Sequence, residues 1–246
     1  MRNGYIIESQ KKNLWRLIAK IKFTSTSNTR DLGGLPIALG KWTKCNRIIR
    51  SDVPISLNDE EIDYLLNNKI DTVIDLRDKK HVELSPTCLQ QISNFKCHNI
   101  ALQKDIVNIN SEDDLVKTYL KFCENFEEMK SIFKIIANAS NGILIHCQEG
   151  KDRTGIVVAI LLLLTDVPFE DIILDYSCSQ IYLKKYIDDI LKAFPDFPEY
   201  NYKTKPCYME KFLHDFIQKY HSVNKYLHCV GLNEDEIYCL QMELKQ

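Results

Sequence analysis

No sign of charge prevails in this chain, no two cysteines are spaced C-x-x-C, and no apolar run is long enough to cross a bilayer. With 32 Lys and Arg against 34 Asp and Glu the net charge is −2. That balance removes bulk attraction to nucleic acid and leaves room only for a focused positive pocket. The nine cysteines, at 45, 88, 97, 123, 147, 178, 207, 229 and 239, are odd in number and lack the paired spacing of a zinc site or a disulfide framework. A reducing compartment is expected. The longest apolar run, Ile156 to Leu164, falls far short of the roughly 20 residues that span a membrane. Met1 to Gln10 lacks the charged-then-apolar pattern of a secretion signal. These absences imply a cytoplasmic protein without stable membrane insertion, with non-standard export left open.

Internal repeats and low-complexity linkers are missing too, so 246 residues that are 45% hydrophobic are expected to form one domain, 1–246, around one core. Residues 1–23, with Leu14, Trp15, Leu17, Ile18 and Ile21, read as an N-terminal extension carrying a short helix. Asn28-Thr29-Arg30-Asp31-Leu32-Gly33-Gly34 reads as a tight turn, either a structural loop or one that touches the active site. A hairpin turning at Gly40 is expected over Ile37 to Thr43, and a strand over Arg47 to Arg50 ending in Ser51-Asp52. Ser56, with an acid three positions on, marks a helix start running to Asn67. The β-rich run Ile70 to Leu76 ends in Asp75-Leu76-Arg77-Asp78. Asp75 and Arg77 would then line a crevice at a strand end, or Asp75 would pair with Arg30 or Arg50 to fix loops. Phe95 to Ala101 reads as a further strand, Asp113 to Ala139 as one or two helices, and Pro168 as a helix start. From Gln180 onward the chain is helix-patterned, broken by a loop holding Pro195, Pro198 and Pro206.

The order of elements predicts an α/β fold: a central, mainly parallel sheet of four to five strands flanked by helices, with a helical C-terminal part. Nine of the twelve tyrosines lie between Tyr176 and Tyr238; they either pack the helical tail or make 177–230 a lid over the crevice. His214, His221 and His228 recur every seven residues, whereas helical metal pairs usually sit four apart, so no metal is expected.

The chemistry concentrates at 146–155, His-Cys-Gln-Glu-Gly-Lys-Asp-Arg-Thr-Gly. A short apolar strand, Gly142 to Ile145, precedes it and an apolar helix, Ile156 to Leu164, follows, which makes it a strand-to-helix turn. Such a turn aims backbone N–H groups and the positive end of a helix dipole at one spot, where a phosphate fits. Cys147 stands at its start as a nucleophile, and Arg153 brings a guanidinium fork to the same anion. Gln148, Glu149, Gly150, Lys151 and Thr154 are the remaining candidate substrate-binding residues. The helix end, Lys151 and Arg153 favour a thiolate, since such surroundings lower a cysteine pKa to roughly 3.5–7.5, and Thr154 is placed to donate a hydrogen bond to the sulfur. A leaving alkoxide or phenoxide needs a proton from Asp152 or Asp75. Asp152 is tied to the loop and need not travel, but the sequence leaves both open. A sulfurtransferase or a phosphate-binding pseudoenzyme would also cradle an anion here.

His-Cys, five residues, Arg-Thr-Gly resembles the signature of cysteine-based tyrosine and dual-specificity phosphatases. HCQEGKDRTG resembles in particular the bacterial tyrosine phosphatases whose loop reads HCxxGKDRTG. Asn28 to Gly34, Arg50 to Asp52 and Asp75 to Arg77 match companion motifs in order, and Tyr226 to Leu240 is similar to the closing helix. The resemblance implies Cys147 as nucleophile through a phosphocysteine, Arg153 as phosphate clamp, and Lys151 and Asp152 as a pair linked to broad substrate tolerance. It implies phosphorylated proteins or phosphoinositides as substrates and no cofactor; the oligomeric state stays open. Lys151 suits a polyanionic headgroup, whereas Glu149 beside an anion site would oppose binding unless it points outward.

Overall fold

Apolar neighbours in Ile48-Ile49, Val73-Ile74 and Ile143-Leu144-Ile145 send successive side chains to opposite faces of a strand, so each strand needs cover on both sides. The structure, a computed structural model, describes residues 20–102 and 109–245. Strands β1 (Arg30–Asp31), β2 (Ile48–Ser51), β3 (Ile70–Asp75), β4 (Lys96–Asn99) and β5 (Gly142–His146) form one sheet in the order β1-β2-β5-β3-β4. All neighbours are parallel except β1, which runs antiparallel on β2. This is the expected α/β architecture, with the strand count at its upper figure.

On one face Ile48, Ile74, Ile143 and Ile145 join the larger core. On the other, Ile49, Val73 and Leu144 pack with Ile21, Phe23 and Leu65. Helices α1 (Asp59–Asn67), α2 (Lys79–Leu84), α3 (Glu112–Cys123) and α4 (Phe126–Asn138) lie among the strands in chain order, and α5 (Asp152–Leu164) and α6 (Phe169–Tyr182) follow β5. The tail adds α7 (Lys184–Ala193), α8 (Glu199–Tyr202), α9 (Pro206–Tyr220), α10 (Val223–Val230) and α11 (Glu234–Leu244). Helix α5 is apolar on every side and buried along nearly all its length. Such a helix must be enclosed, and α3, α6, α10 and α11 enclose it. Each of its buried Leu and Ile side chains contributes roughly 1.5–3 kcal/mol, which anchors the turn at its N-terminus.

Strand β5 comes last in the sheet's chain order yet lies between β2 and β3. Ser51, His146 and Asp75 therefore stand side by side at the carboxyl edge, where open α/β sheets bind ligands.

Several boundaries differ from expectation. The first helix is capped by Asn58, not Ser56, because Asn58 and Glu61 close a reciprocal capping box. Ile37 to Thr43 makes a 3-10 turn at Ala38–Gly40 with a single bridge from Pro36 to Trp42 rather than a hairpin of two strands, held by Ile37 N–H to the Lys41 carbonyl and Thr43 N–H to that of Leu35. The strand expected over Phe95 to Ala101 is confined to Lys96–Asn99. Pro206 opens α9 as its first residue instead of lying in a loop. Of the N-terminal extension, residues 1–19 lie outside the described residues; Lys20 bridges to Arg30, and Ile21 and Phe23 are buried. Several tail tyrosines pack into the core: Tyr208, Tyr220 and Tyr226 are buried, and the last two close around the ring of Phe216.

Candidate active site

The turn between β5 and α5 is held from behind, by its carbonyl groups. Leu76 N–H donates to the His146 carbonyl (2.9 Å), Val53 N–H to Gln148 (3.1 Å), Asn28 Nδ2 to Glu149 (2.8 Å) and Arg50 Nη2 to Gly150 (2.7 Å). The Lys151 carbonyl accepts from Gly155 N–H at 3.0 Å inside the helix. In a planar trans peptide the N–H points opposite to the C=O. Pulling these carbonyls onto the scaffold therefore turns the N–H groups of the following residues towards the concave side, in the manner of an anion-binding nest. Gly150 adopts φ +64°, and a Cβ there would lie 2.3 Å from the Ser51 carbonyl oxygen, so the turn packs too closely on β2 for a side chain.

The scaffold is itself a buried charge cluster. Asp175 of α6 receives Arg30 Nε at 2.9 Å and also Arg50 Nη1. Burial and the neighbouring Arg30 push the Arg50 pKa down to about 10, with Asp175 opposing them. Asp52 accepts from the N–H groups of Ser27 and Asn28, both at 2.9 Å. The segment 28–34 thus does touch the turn, through Asn28 directly and through Arg30 by way of Asp175. Sequence reasoning missed Asp175. Its signal was a carboxylate on the stripe Ile172, Asp175, Tyr176 and Ser179, at helical spacing and wholly buried, where a charge needs a partner.

Cys147, at the end of β5, is 3% exposed. A thiolate there would favour charge on both Arg50 and Lys151. Arg153, in the first turn of α5, donates to the Leu76 carbonyl at 3.3 Å. Thr154 does not bond the sulfur as expected; its hydroxyl is buried without a partner among the described residues. Lys151 is 1% exposed and donates to the Asn201 carbonyl at 2.6 Å, with Asp152 at 3.5 Å and Glu149 at 3.6 Å. Burial opposes its charge, but the two carboxylates win and its pKa is raised. Glu149 is turned neither into the anion site nor fully outward. It lies between Lys151 and the Tyr186 hydroxyl (3.4 Å), and burial raises its pKa.

The two acid candidates have different surroundings. Asp75 is 2% exposed and grips Arg77 through both oxygens, at 2.7–3.1 Å. Its ion pair is with Arg77, not with Arg30 or Arg50, the alternative that the sequence leaves open beside a place in the crevice. His146, 3.7 Å from Asp75, has its pKa lowered by burial. Asp152 accepts a hydrogen bond from Tyr119 and opens on a cleft of about 240 Å³ walled by Leu102, Ile109, Leu115 and Phe122, with Arg153 beside it. On the other flank Gln148 and Glu149 line a polar cleft with Asp52 and Tyr186. A larger cavity, about 570 Å³, lies away from the turn between residues 20–24 and α1. Its Cys45 has a pKa raised by burial and by Asp31, opposite to what a nucleophile needs. Among the described residues no group of three or more His, Cys, Asp or Glu is placed to hold a metal ion, and no helix is long and apolar enough to cross a membrane.

Comparison with known proteins places this geometry in context. The model of the tyrosine phosphatase family matches residues 21–246. A tyrosine-protein phosphatase of Nostoc commune is 32% identical over 136 residues, 52% of this chain and 46% of its own length. A Cupriavidus necator protein provisionally assigned the same activity is 25% identical over 167 residues, 63% of this chain and 61% of its own. The chain thus spans less than two thirds of either relative. Among solved structures, the Siw14 catalytic core covers 85% of this chain and 98% of its own at 18% identity, with a TM-score of 0.39. For Pseudomonas aeruginosa TpbA the figures are 67%, 97%, 12% and 0.33.

Proposed function

The chain belongs to the tyrosine phosphatase family, and we propose that it hydrolyses phosphate monoesters, phosphotyrosine foremost, through a phosphocysteine on Cys147. The observation that carries this reading is the set of anchored carbonyls at His146, Gln148, Glu149, Gly150 and Lys151, which turns the peptide N–H groups that follow them towards a phosphate at the head of α5. Charge-assisted hydrogen bonds of roughly 1.5–3 kcal/mol each then hold the equatorial oxygens and stabilise the charge of the transition state. The Cys147 thiolate attacks phosphorus; the S–P bond forms as the P–O bond breaks, and its electron pair goes to the leaving oxygen, which takes a proton from Asp152. Water then attacks the phosphocysteine, gives a proton back to Asp152, and releases phosphate and the thiolate.

The apolar walls of the cleft beside Arg153 and Asp152 suit an aromatic leaving group. Lys151, committed to the Asn201 carbonyl and two carboxylates, is poorly disposed to meet a polyanionic headgroup, which favours phosphotyrosine over phosphoinositides. Phosphoserine and phosphothreonine are weaker substrates of the same loop. A panel of phosphopeptides and phosphoinositide vesicles, read as phosphate release, tests this. Phosphotyrosyl peptides are expected to exceed phosphoinositides in kcat/KM by at least about tenfold, and the reverse order would reject the preference.

The acid is tested by leaving group. Asp152→Asn is expected to slow phenyl phosphate by about 10²-fold or more and 4-nitrophenyl phosphate far less, because nitrophenolate leaves without a proton. Asp75→Asn, with the Arg77 pair disturbed, should affect both esters alike and lower stability. Equal losses on both esters in Asp152→Asn would remove it as the acid. The segment 177–230 meets the turn through Tyr186 and Asn201, which supports reading it as a cover over the site within a single domain, 1–246.

A further inference from the structure

Two buried phenols lead to Asp152. The Tyr119 hydroxyl of α3 donates to Asp152 Oδ1, and 2.7 Å separates it from the Tyr176 hydroxyl of α6. Each phenol carries one proton. That of Tyr119 goes to Asp152, so that of Tyr176 goes to Tyr119, and the chain of two bonds ends on the carboxylate, each bond polarising the next. Burial raises both phenol pKa values well above the ordinary one, so the chain keeps its protons at working pH. Packing does not ask for these hydroxyls. The Tyr119 ring meets Tyr176 and Phe212 edge to face, both at 6.2 Å, as a phenylalanine would. A buried hydroxyl costs free energy unless it is bonded.

We infer that Tyr119, backed by Tyr176, is the positioning residue of Asp152: it fixes Oδ1 as an acceptor and leaves Oδ2 to carry the transferred proton. This rests on Asp152 being the acid proposed above. Other groups face the carboxyl: Lys151 Nζ is 3.5 Å from Oδ2, Glu149 is 3.6 Å beyond Lys151, and Arg153 follows on α5. Asp78 and His81 line the cleft from the side of α2, and Arg50 and Tyr208 act on Tyr176 from behind. All of them are untouched by removal of the Tyr119 hydroxyl, so a shift in Tyr119→Phe reports that hydroxyl.

The test is the titration of the Asp152 carboxyl carbon by NMR in the full chain, its signal identified by loss in Asp152→Asn, beside the pH profile of kcat on phenyl phosphate. A donor to a carboxylate stabilises the ionised form. Its removal in Tyr119→Phe is expected to raise the Asp152 titration by about one pH unit, and the basic limb of kcat should rise with it, because the acid stays protonated to higher pH. Tyr176→Phe, which weakens the same bond indirectly, should shift both in the same direction by less, and it carries the measurement if Tyr119→Phe does not fold. Unmoved titrations in the folded variants overturn the inference while leaving Asp152 as the acid. A basic limb that survives in Asp152→Asn overturns the acid assignment and the inference with it.

Discussion

Cys147→Ser is expected to abolish turnover of every phosphoester, by at least about 10⁴-fold in kcat, while leaving phosphate binding within a few-fold of the unaltered protein. The two halves of this result have different sources. Binding comes from the turn, whose N–H groups are aimed by carbonyls that Val53, Asn28 and Arg50 hold from behind, and from Arg153. None of these contacts uses the sulfur. Turnover needs a nucleophile that attacks phosphorus, and a serine hydroxyl at the same place is a far weaker one than a cysteine sulfur. Phosphate release from an aryl ester, with calorimetric binding of inorganic phosphate to the same sample, separates the two. Residual turnover within tenfold would reject a phosphocysteine, and lost binding would mean that the substitution disturbs the turn.

Asp175→Asn is the second large effect, and it acts without touching substrate. It leaves Arg30 and Arg50, both fully buried, without the carboxylate that offsets their mutual repulsion. Breaking such a buried pair by removing one partner costs about 3–5 kcal/mol. For a chain of this size that lowers the melting temperature by on the order of 10 °C. Arg50 also donates to the Gly150 carbonyl, so activity should fall at temperatures where the variant is still folded. A melting temperature within about 2 °C of the unaltered protein would show that the cluster is not the clamp its geometry describes.

The strand, turn and helix around Cys147 were legible because their signals are local: an apolar strand, a polar run of residues after it, and an apolar helix. The parallel sheet was legible for the same reason, from alternating runs of strand and helix. What was not legible depends on which residues the fold brings together from far apart. Arg30 and Arg50 were open as partners of Asp75, but the fold brings both to Asp175, 145 and 125 residues on, and leaves Asp75 to Arg77. Lys151 read as a cation waiting for a headgroup, and only the fold brings the Asn201 carbonyl to it. Tyr119 carried a weak signal, a phenol on the buried stripe Leu115, Tyr119 and Cys123 of α3. Such a group needs a hydrogen-bond partner, but the stripe does not say which.

The place of β5 in the sheet also bears on how the protein is made. The contacts that shape the turn join residues 100 apart at Arg50 and Gly150, 121 apart at Asn28 and Glu149, and 145 apart at Arg30 and Asp175. Closing such long loops adds little to the equilibrium cost, which grows only with the logarithm of length, but it slows folding. A growing chain has β2 and β3 in hand well before the strand that must slide between them is synthesised. The turn therefore cannot be clamped before Asp175 of α6 has been synthesised, and Cys147 stays outside its mature setting until the sheet has closed around it.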